Sequence, residues 1–195
     1  MSASLTLIAG LGNPGGQYAR TLHNAGFWFV DALLARFGGS LAPDRKFNAE
    51  IGRIEIGGQD VWVMKPQGYM NLSGQPVRAV LDYYRLAPEA LLVAHDEIDL
   101  PPGTVRLKLG GGHGGHNGLR DIIQHCGADF LRLRLGVGHP GSKDRVTGHV
   151  LKRGDAEVEA AVERNIDEAV AVMPLLLEKG VSAAMKELHT KKSDE

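Results

Sequence analysis

Cysteine is almost absent: Cys126 is the only one in 195 residues. A lone cysteine excludes an internal disulfide and fits a reducing compartment, so a cytoplasmic location is expected. Long apolar runs are missing as well. None approaches the ~20 residues that a membrane-spanning helix needs. The opening residues, Met1-Ser2-Ala3-Ser4, carry no basic leader and run into a strand-like stretch, so no secretory signal is expected. There is no Cys set and no H-E-x-x-H pair, which leaves a zinc site without its ligands. Repeats, low-complexity tracts and Pro/Ser-rich linkers are lacking too. The chain is therefore read as one domain over residues 1–190, with 191–195 as a frayed tail. What remains is ordinary globular usage, 43% hydrophobic and 23% charged, which excludes disorder, a coiled coil or a collagen-like fibre for the whole chain.

Excess charge is also missing, since the formal net charge is −1. Its distribution is uneven. Residues 105–153 hold nine Lys/Arg against three Asp/Glu, and 154–195 hold five against ten. A basic middle beside acidic flanks is compatible with a local surface for an anionic ligand, and equally with an uneven solvated surface.

Leu5 to Ala9 reads as a buried strand running into the turn-rich Gly10-Leu-Gly-Asn-Pro-Gly-Gly16. A helix with Asn24 as N-cap follows, with Phe27, Val30, Leu34 and Phe37 on one face and Gly38-Gly39 at its end. Residues 46–56 and 60–65 read as a hairpin about Gly57-Gly58. The apolar alternation changes phase between Ile51 and Ile54, which predicts a β-bulge beside Gly52. Ser73 to Tyr84 is read as a helix, Leu91 to Ala94 as a buried strand, and Asn117 to Cys126 as a short helix. Val105/Leu107/Leu109 and Leu131/Leu133/Leu135 alternate with Arg106/Lys108 and Arg132/Arg134, giving two strands with one apolar and one basic side. The last third is helical, with Val158, Val162, Ile166, Val170, Met173 and Leu177 aligned, and Pro174 is expected to kink or break it. These elements imply an α/β fold: a three-layer sandwich with a mixed, mostly parallel twisted sheet flanked by helices.

Gly10, Gly12 and Gly15 match a dinucleotide-binding turn, but no helix starts at once and no acid ends a second strand at the required distance. The better reading is a tight loop presenting Asn13. His23 precedes a helix, whose positive end disfavours an imidazolium, and a neutral ring is what a general base needs. Such a base needs a carboxylate for its other nitrogen. Asp96, Glu97 and Asp99 cluster at a strand end, where α/β sites gather, and Asp96 is the best candidate. Asn71, after another strand, can orient a carbonyl or a water. Ser73 beside it reads as a helix cap rather than a nucleophile. The loop Gly110 to Gly118, with His113, His116 and Asn117, has the backbone freedom of a flap closing over a substrate. The basic strand faces can grip phosphate or lie solvated. Cys126 reads as inert core.

Taken together, Gly10-Leu-Gly-Asn-Pro-Gly15 with Tyr18, His23-Asn-Ala-Gly26, Tyr69-Met-Asn-Leu-Ser-Gly74, His95-Asp-Glu-Ile-Asp-Leu-Pro-Pro-Gly103, Lys108 to Leu119 and Arg132-Leu-Arg-Leu-Gly-Val-Gly-His-Pro-Gly141 resemble the bacterial-type peptidyl-tRNA hydrolase family. The motifs occur in family order over nearly the whole chain. Gly68 is a departure, standing where the family usually carries threonine. The resemblance implies hydrolysis of the ester between a peptide and the 3′ ribose of tRNA, freeing both for recycling, without cofactor or metal. It implies His23 as the base activating water and Asp96 as its orienting carboxylate. It implies Asn71 and Asn117 positioning water, peptide and oxyanion, and Asn13 sensing the acylated amino group. Tyr18, Tyr69, Met70 and His116 would line the cleft, and Lys108 and Arg134 would hold tRNA phosphate. The expected partner is peptidyl-tRNA alone, with neither a membrane nor an obligate protein partner, and a monomer is expected.

Overall fold

The computed structural model describes residues 4–190. The expected tail at 191–195 lies outside the described residues. Seven strands form one mixed sheet: β1 (Leu7–Gly10), β2 (Ala42–Asp44), β3 (Ala49–Ile56), β4 (Gln59–Pro66), β5 (Leu91–Glu97), β6 (Val105–Leu109) and β7 (Leu131–Gly136). Their order is β2-β3-β4-β1-β5-β7-β6. The four central strands, β4-β1-β5-β7, run parallel, and the antiparallel pairings lie toward the two edges. Parallel strands must be covered on both faces, and the two innermost, β1 and β5 from Leu91 to Ala94, accordingly carry no polar side chain.

Six helices supply the cover: α1 (Ala25–Phe37), α2 (Gly74–Tyr83), α3 (Asn117–Cys126), α4 (Val146–Val150), α5 (Ala156–Lys179) and α6 (Val181–Thr190). On one face Phe29, Val30 and Leu33 of α1 and Val162, Ile166, Val170 and Met173 of α5 pack over Ile8, Leu92, Ala94 and Leu133. On the other, Val77, Val80 and Leu81 of α2 and Leu119, Ile122 and Cys126 of α3 pack over Leu7, Ala9, Met64, Leu91 and Val93. β1, β3, β4 and β5 thus feed both cores, while β6 and β7 feed only the α1/α5 core, giving the three layers.

Four local expectations are corrected. The β3–β4 register runs unbroken from Ala49↔Pro66 to Ile56↔Gln59, so Gly52 marks no bulge. Ala49 and Ile51 face the α2/α3 core while Ile54 and Ile56 face the α1/α5 core. The phase change records a switch of buried face. Gly52 is there because a Cβ would lie 2.2 Å from the Ser40 carbonyl oxygen. Asn24 and Ser73 do not cap their helices with their side chains. Ser73 Oγ instead donates to the Met70 carbonyl at 2.7 Å, and Asp121 of α3 accepts from the Gly74 N–H at 2.7 Å. Finally, α5 continues through Pro174 to Lys179, because Met173 and Leu176 on either side are held in the core. The packing there outweighs the ~3 kcal/mol interior penalty of a proline. The hairpin turn at Gly57-Gly58 is as expected, with φ of 58° and 81°.

Candidate active site

The site lies at the carboxyl ends of β1, β4 and β5. Gly10 ends β1 where α1 crosses closest. A Cβ on Gly10 would lie 2.2 Å from the Gly26 carbonyl oxygen, and one on Gly12 would meet the Phe27 ring at 2.7 Å. The glycines of this turn therefore make room for α1 itself, and the space a pyrophosphate would need is filled by protein. That removes the dinucleotide reading of the motif.

The same close approach orders the loop. Asn24 accepts from the Asn13 N–H at 2.8 Å and returns a bond to the Asn13 carbonyl at 3.0 Å. This pair of bonds is why Asn24 is unavailable as a cap. The Asn13 side chain is buried, and its Oδ1 accepts from the Met70 N–H at 2.7 Å. With Oδ1 committed, Nδ2 is left as a donor on the cavity wall.

His23 sits in a 3-10 turn, Leu22–Asn24, just ahead of α1. Its Nδ1–H donates to Asp96 Oδ2 at 2.8 Å. His116 Nε2–H donates to the other oxygen, Oδ1, also at 2.8 Å. The His116 tautomer is set from behind, since its Nδ1 accepts from the Gly118 and Leu119 N–H groups at 3.1 and 3.2 Å and thereby caps α3. Asp96 is 3% exposed. Burial alone would raise its carboxyl, but the charges and hydrogen bonds of His23 and His116 hold it well below the usual range. It is ionised at neutral pH. Burial likewise works to lower His23, and Asp96 overcomes it, so the imidazole is raised from its ordinary value. The carboxylate, rather than the helix terminus, decides the direction.

These three residues bring ligand-type atoms within 4.8 Å of one another. As a metal set they fit poorly. A metal on His116 Nε2 would force the proton onto Nδ1, against the two N–H groups that now point at it. The geometry serves a different purpose: with Nδ1 bound to Asp96, His23 keeps its Nε2 lone pair for the cleft.

The cleft has a volume of about 260 Å³. Asn13, His23, Tyr69, Met70, Asn71, Asp96, His116 and Asn117 line it, as expected from sequence. Asn71 and Asn117 are exposed, and their amides make no hydrogen bond among the described residues. Tyr18 does not reach the cleft wall and packs edge-on against Tyr69 at 6.4 Å. Gly68 lies under Leu72, where a Cβ would sit 3.1 Å from the Leu72 Cβ. The opposite wall was not foreseen. It consists of Ile98 and Val146, Thr147, Val150 and Leu151 on and after α4. Ile98 lies within the His95–Gly103 motif, but no motif marks the α4 residues, and only the return of the chain brings them here.

Lys108 and Arg134 line a second, smaller cavity of about 140 Å³, together with His95, Glu97, Asp99, Gly112, His113 and Arg132. The basic sides of β6 and β7 do face one another, as the register Arg106↔Arg134 and Lys108↔Arg132 requires. They are not simply solvated. Arg132 is 2% exposed and donates to the carbonyls of Gly111, Gly112 and Ala128, pinning the base of the glycine-rich loop. Arg134 Nε donates to Glu97 Oε1 at 2.8 Å. His95 is fully buried, donates from Nδ1 to the Asp96 carbonyl, and is pushed down to about 4 by burial and the adjacent His116. Cys126 is raised to about 11 by burial and is no nucleophile.

An α/β sandwich whose strand-end cleft holds a carboxylate-bound histidine, flanked by a basic pocket, is the class that fold and site define. The family model described as peptidyl-tRNA hydrolase matches residues 7–195, and the chain belongs to that family. A curated peptidyl-tRNA hydrolase of Halorhodospira halophila is 56% identical over 184 residues, covering 94% of this chain and 95% of its own. One from Xanthomonas euvesicatoria pv. vesicatoria is 53% identical over 191 residues, covering 97% and 99%. The crystal structure of peptidyl-tRNA hydrolase from Acinetobacter baumannii superposes with a TM-score of 0.93 at 51% identity, covering 95% of each chain.

Proposed function

We propose that this chain hydrolyses peptidyl-tRNA in the cleft with His23 as the general base. The observation that carries the reading is the 2.8 Å bond from His23 Nδ1 to buried Asp96, which turns the free Nε2 toward a cavity lined by three asparagines. Water attacks the ester carbonyl carbon as its proton passes to His23 Nε2. Asp96 stabilises the imidazolium that forms. The negative charge moves to the carbonyl oxygen, and the Asn71 and Asn117 amides are free to donate to it. Collapse breaks the bond to the 3′ oxygen, which takes the proton back from His23. The products are a free 3′ hydroxyl and a peptide carboxylic acid, which releases its remaining proton to solvent as it ionises.

An ester has a good leaving group, so a base supplying about 10²–10⁴-fold suffices without a covalent nucleophile. Asn13 Nδ2 donates to the first peptide carbonyl, a group that an unblocked aminoacyl ester lacks. Tyr69 and Met70 line the cleft beside the ester, with Tyr18 behind Tyr69 and His116 fixing the second carboxylate oxygen. Lys108 and Arg134 hold backbone phosphate, a contact that ignores sequence and so admits many tRNAs. The enzyme acts as a cytoplasmic monomer of one domain, and no described helix is long and apolar enough to cross a membrane.

The test is release of N-acetyl-aminoacyl groups from tRNA by the purified protein, with excess EDTA and with His23→Ala beside it. Release that survives EDTA and collapses in H23A is the expected result. Turnover retained by H23A would overturn the assignment of the base.

A further inference from the structure

Two residues line both cavities, Gly114 of the glycine-rich loop and Glu97, and of these only Glu97, at the end of β5 next to Asp96 in sequence, carries a charge. Strand alternation turns Asp96 toward α1 and Glu97 toward the basic pocket. There its carboxylate takes the Nε–H of Arg134 at 2.8 Å. Burial works against its ionisation, and Arg134 more than offsets it, so the group is charged at neutral pH. The pocket holds Lys108, Arg132 and Arg134 against Glu97 and Asp99, a surplus of one positive charge. Arg132 is spent on loop carbonyls. The terminal nitrogens of Arg134 make no hydrogen bond among the described residues. Arg134 is therefore half committed, with Nε on Glu97 and the rest of its fork open.

We propose that Glu97 limits how tightly the basic pocket grips tRNA phosphate, so that the freed tRNA leaves. This rests on the reading of Lys108 and Arg134 as phosphate ligands. A phosphate entering the pocket meets a guanidinium already shared with a carboxylate, and the two anions repel across it. The contact is common to substrate and product. Binding energy common to both does not speed the chemical step, and when excessive it slows release. Stability does not explain the pair. The side chains are only 23% and 15% exposed, so the cost of desolvating the two charges offsets their attraction, and the pair is weak evidence for a stabilising role. A merely structural role also predicts the opposite sign, because Arg134 without its partner would lose its orientation and tRNA would bind more weakly.

The experiment measures the Kd of uncharged tRNA, together with kcat and KM on N-acetyl-aminoacyl-tRNA, for wild type, E97Q, E97D and R134Q. E97Q adds one net positive charge within contact distance of the phosphate, and about five- to tenfold tighter tRNA binding is expected. KM and kcat should fall together as product release slows. E97D keeps the charge one methylene further from Arg134 and should fall between wild type and E97Q, which keeps the test alive should E97Q fail to fold. Unchanged or weaker tRNA binding in both Glu97 variants, with R134Q weakening it, overturns the proposal and leaves the phosphate reading intact. If R134Q leaves tRNA affinity and its salt dependence unchanged, the phosphate reading falls and takes this proposal with it.

Discussion

The two cavities beside β5 handle charge in opposite ways. In the His23 cleft the buried carboxylate of Asp96 is satisfied by two histidine rings and no fixed cation. In the basic pocket two arginines and a lysine are only partly balanced, by Glu97, Asp99 and loop carbonyls. The first arrangement conserves a lone pair, since Asp96 fixes one nitrogen of His23 and leaves the other a base. The second conserves positive charge, since Arg132 stabilises the loop and Arg134 keeps part of its fork for an anion. The period-two alternation of one strand separates them. Even-numbered Asp96 meets His23 and His116, and odd-numbered His95 and Glu97 line the neighbouring pocket.

Breaking the comparison from the chemical side should have the largest effect. H23A is expected to lower kcat by about 10²–10⁴-fold while the Kd for uncharged tRNA stays within twofold, as single-turnover kinetics and direct binding would report. A matching loss of tRNA affinity would mean the two cavities are not separable.

Next in size is D96N, with kcat reduced about a hundredfold or more. Its pH profile sharpens the point. The wild-type His23 is raised, and the base must be neutral, so kcat/KM falls as pH drops through that raised value. Without the carboxylate charge the imidazolium loses its stabiliser, and the acid limb should move to lower pH. A profile recorded from pH 5 to 8.5 that leaves the limb in place would show that Asp96 does not set the His23 ionisation.

From the basic side, R134Q should raise KM about tenfold with kcat nearly unchanged, and reduce the slope of log affinity against log salt by about one. Wild-type kcat/KM that stays flat from 50 to 300 mM salt would remove the electrostatic account of tRNA binding.

The smallest effect belongs to S73A. Ser73 is fully buried and spends its hydroxyl on the Met70 carbonyl. Activity should remain within about twofold, with stability lower by about 1 kcal/mol in a denaturant titration. A large kcat loss would reopen Ser73 as a participant.

Much of this was readable along the chain. The buried runs Leu5–Ala9 and Leu91–Ala94 announce parallel core strands, and Gly57-Gly58 announces its hairpin, because their physics is local. His23 and Asp96 stand out for the same reason, one ahead of a helix and one at a strand end. Failures came where a residue answers to a distant partner. Gly52 looked like a bulge but yields to the Ser40 carbonyl. Asn24 looked like a cap but is taken by Asn13. Arg132 alternates like a solvated residue yet is buried under the glycine loop.

By itself, then, the sequence determined the element types, the α/β class and the residues able to do chemistry, since period, capping and side-chain chemistry act over a few residues. Tertiary structure alone decided which nitrogen of each histidine carries the proton, that Glu97 stands between two cavities, and that α4 closes the cleft. Those depend on contacts between segments tens of residues apart, such as His23 with Asp96 and His116, and no local pattern encodes their distance or direction.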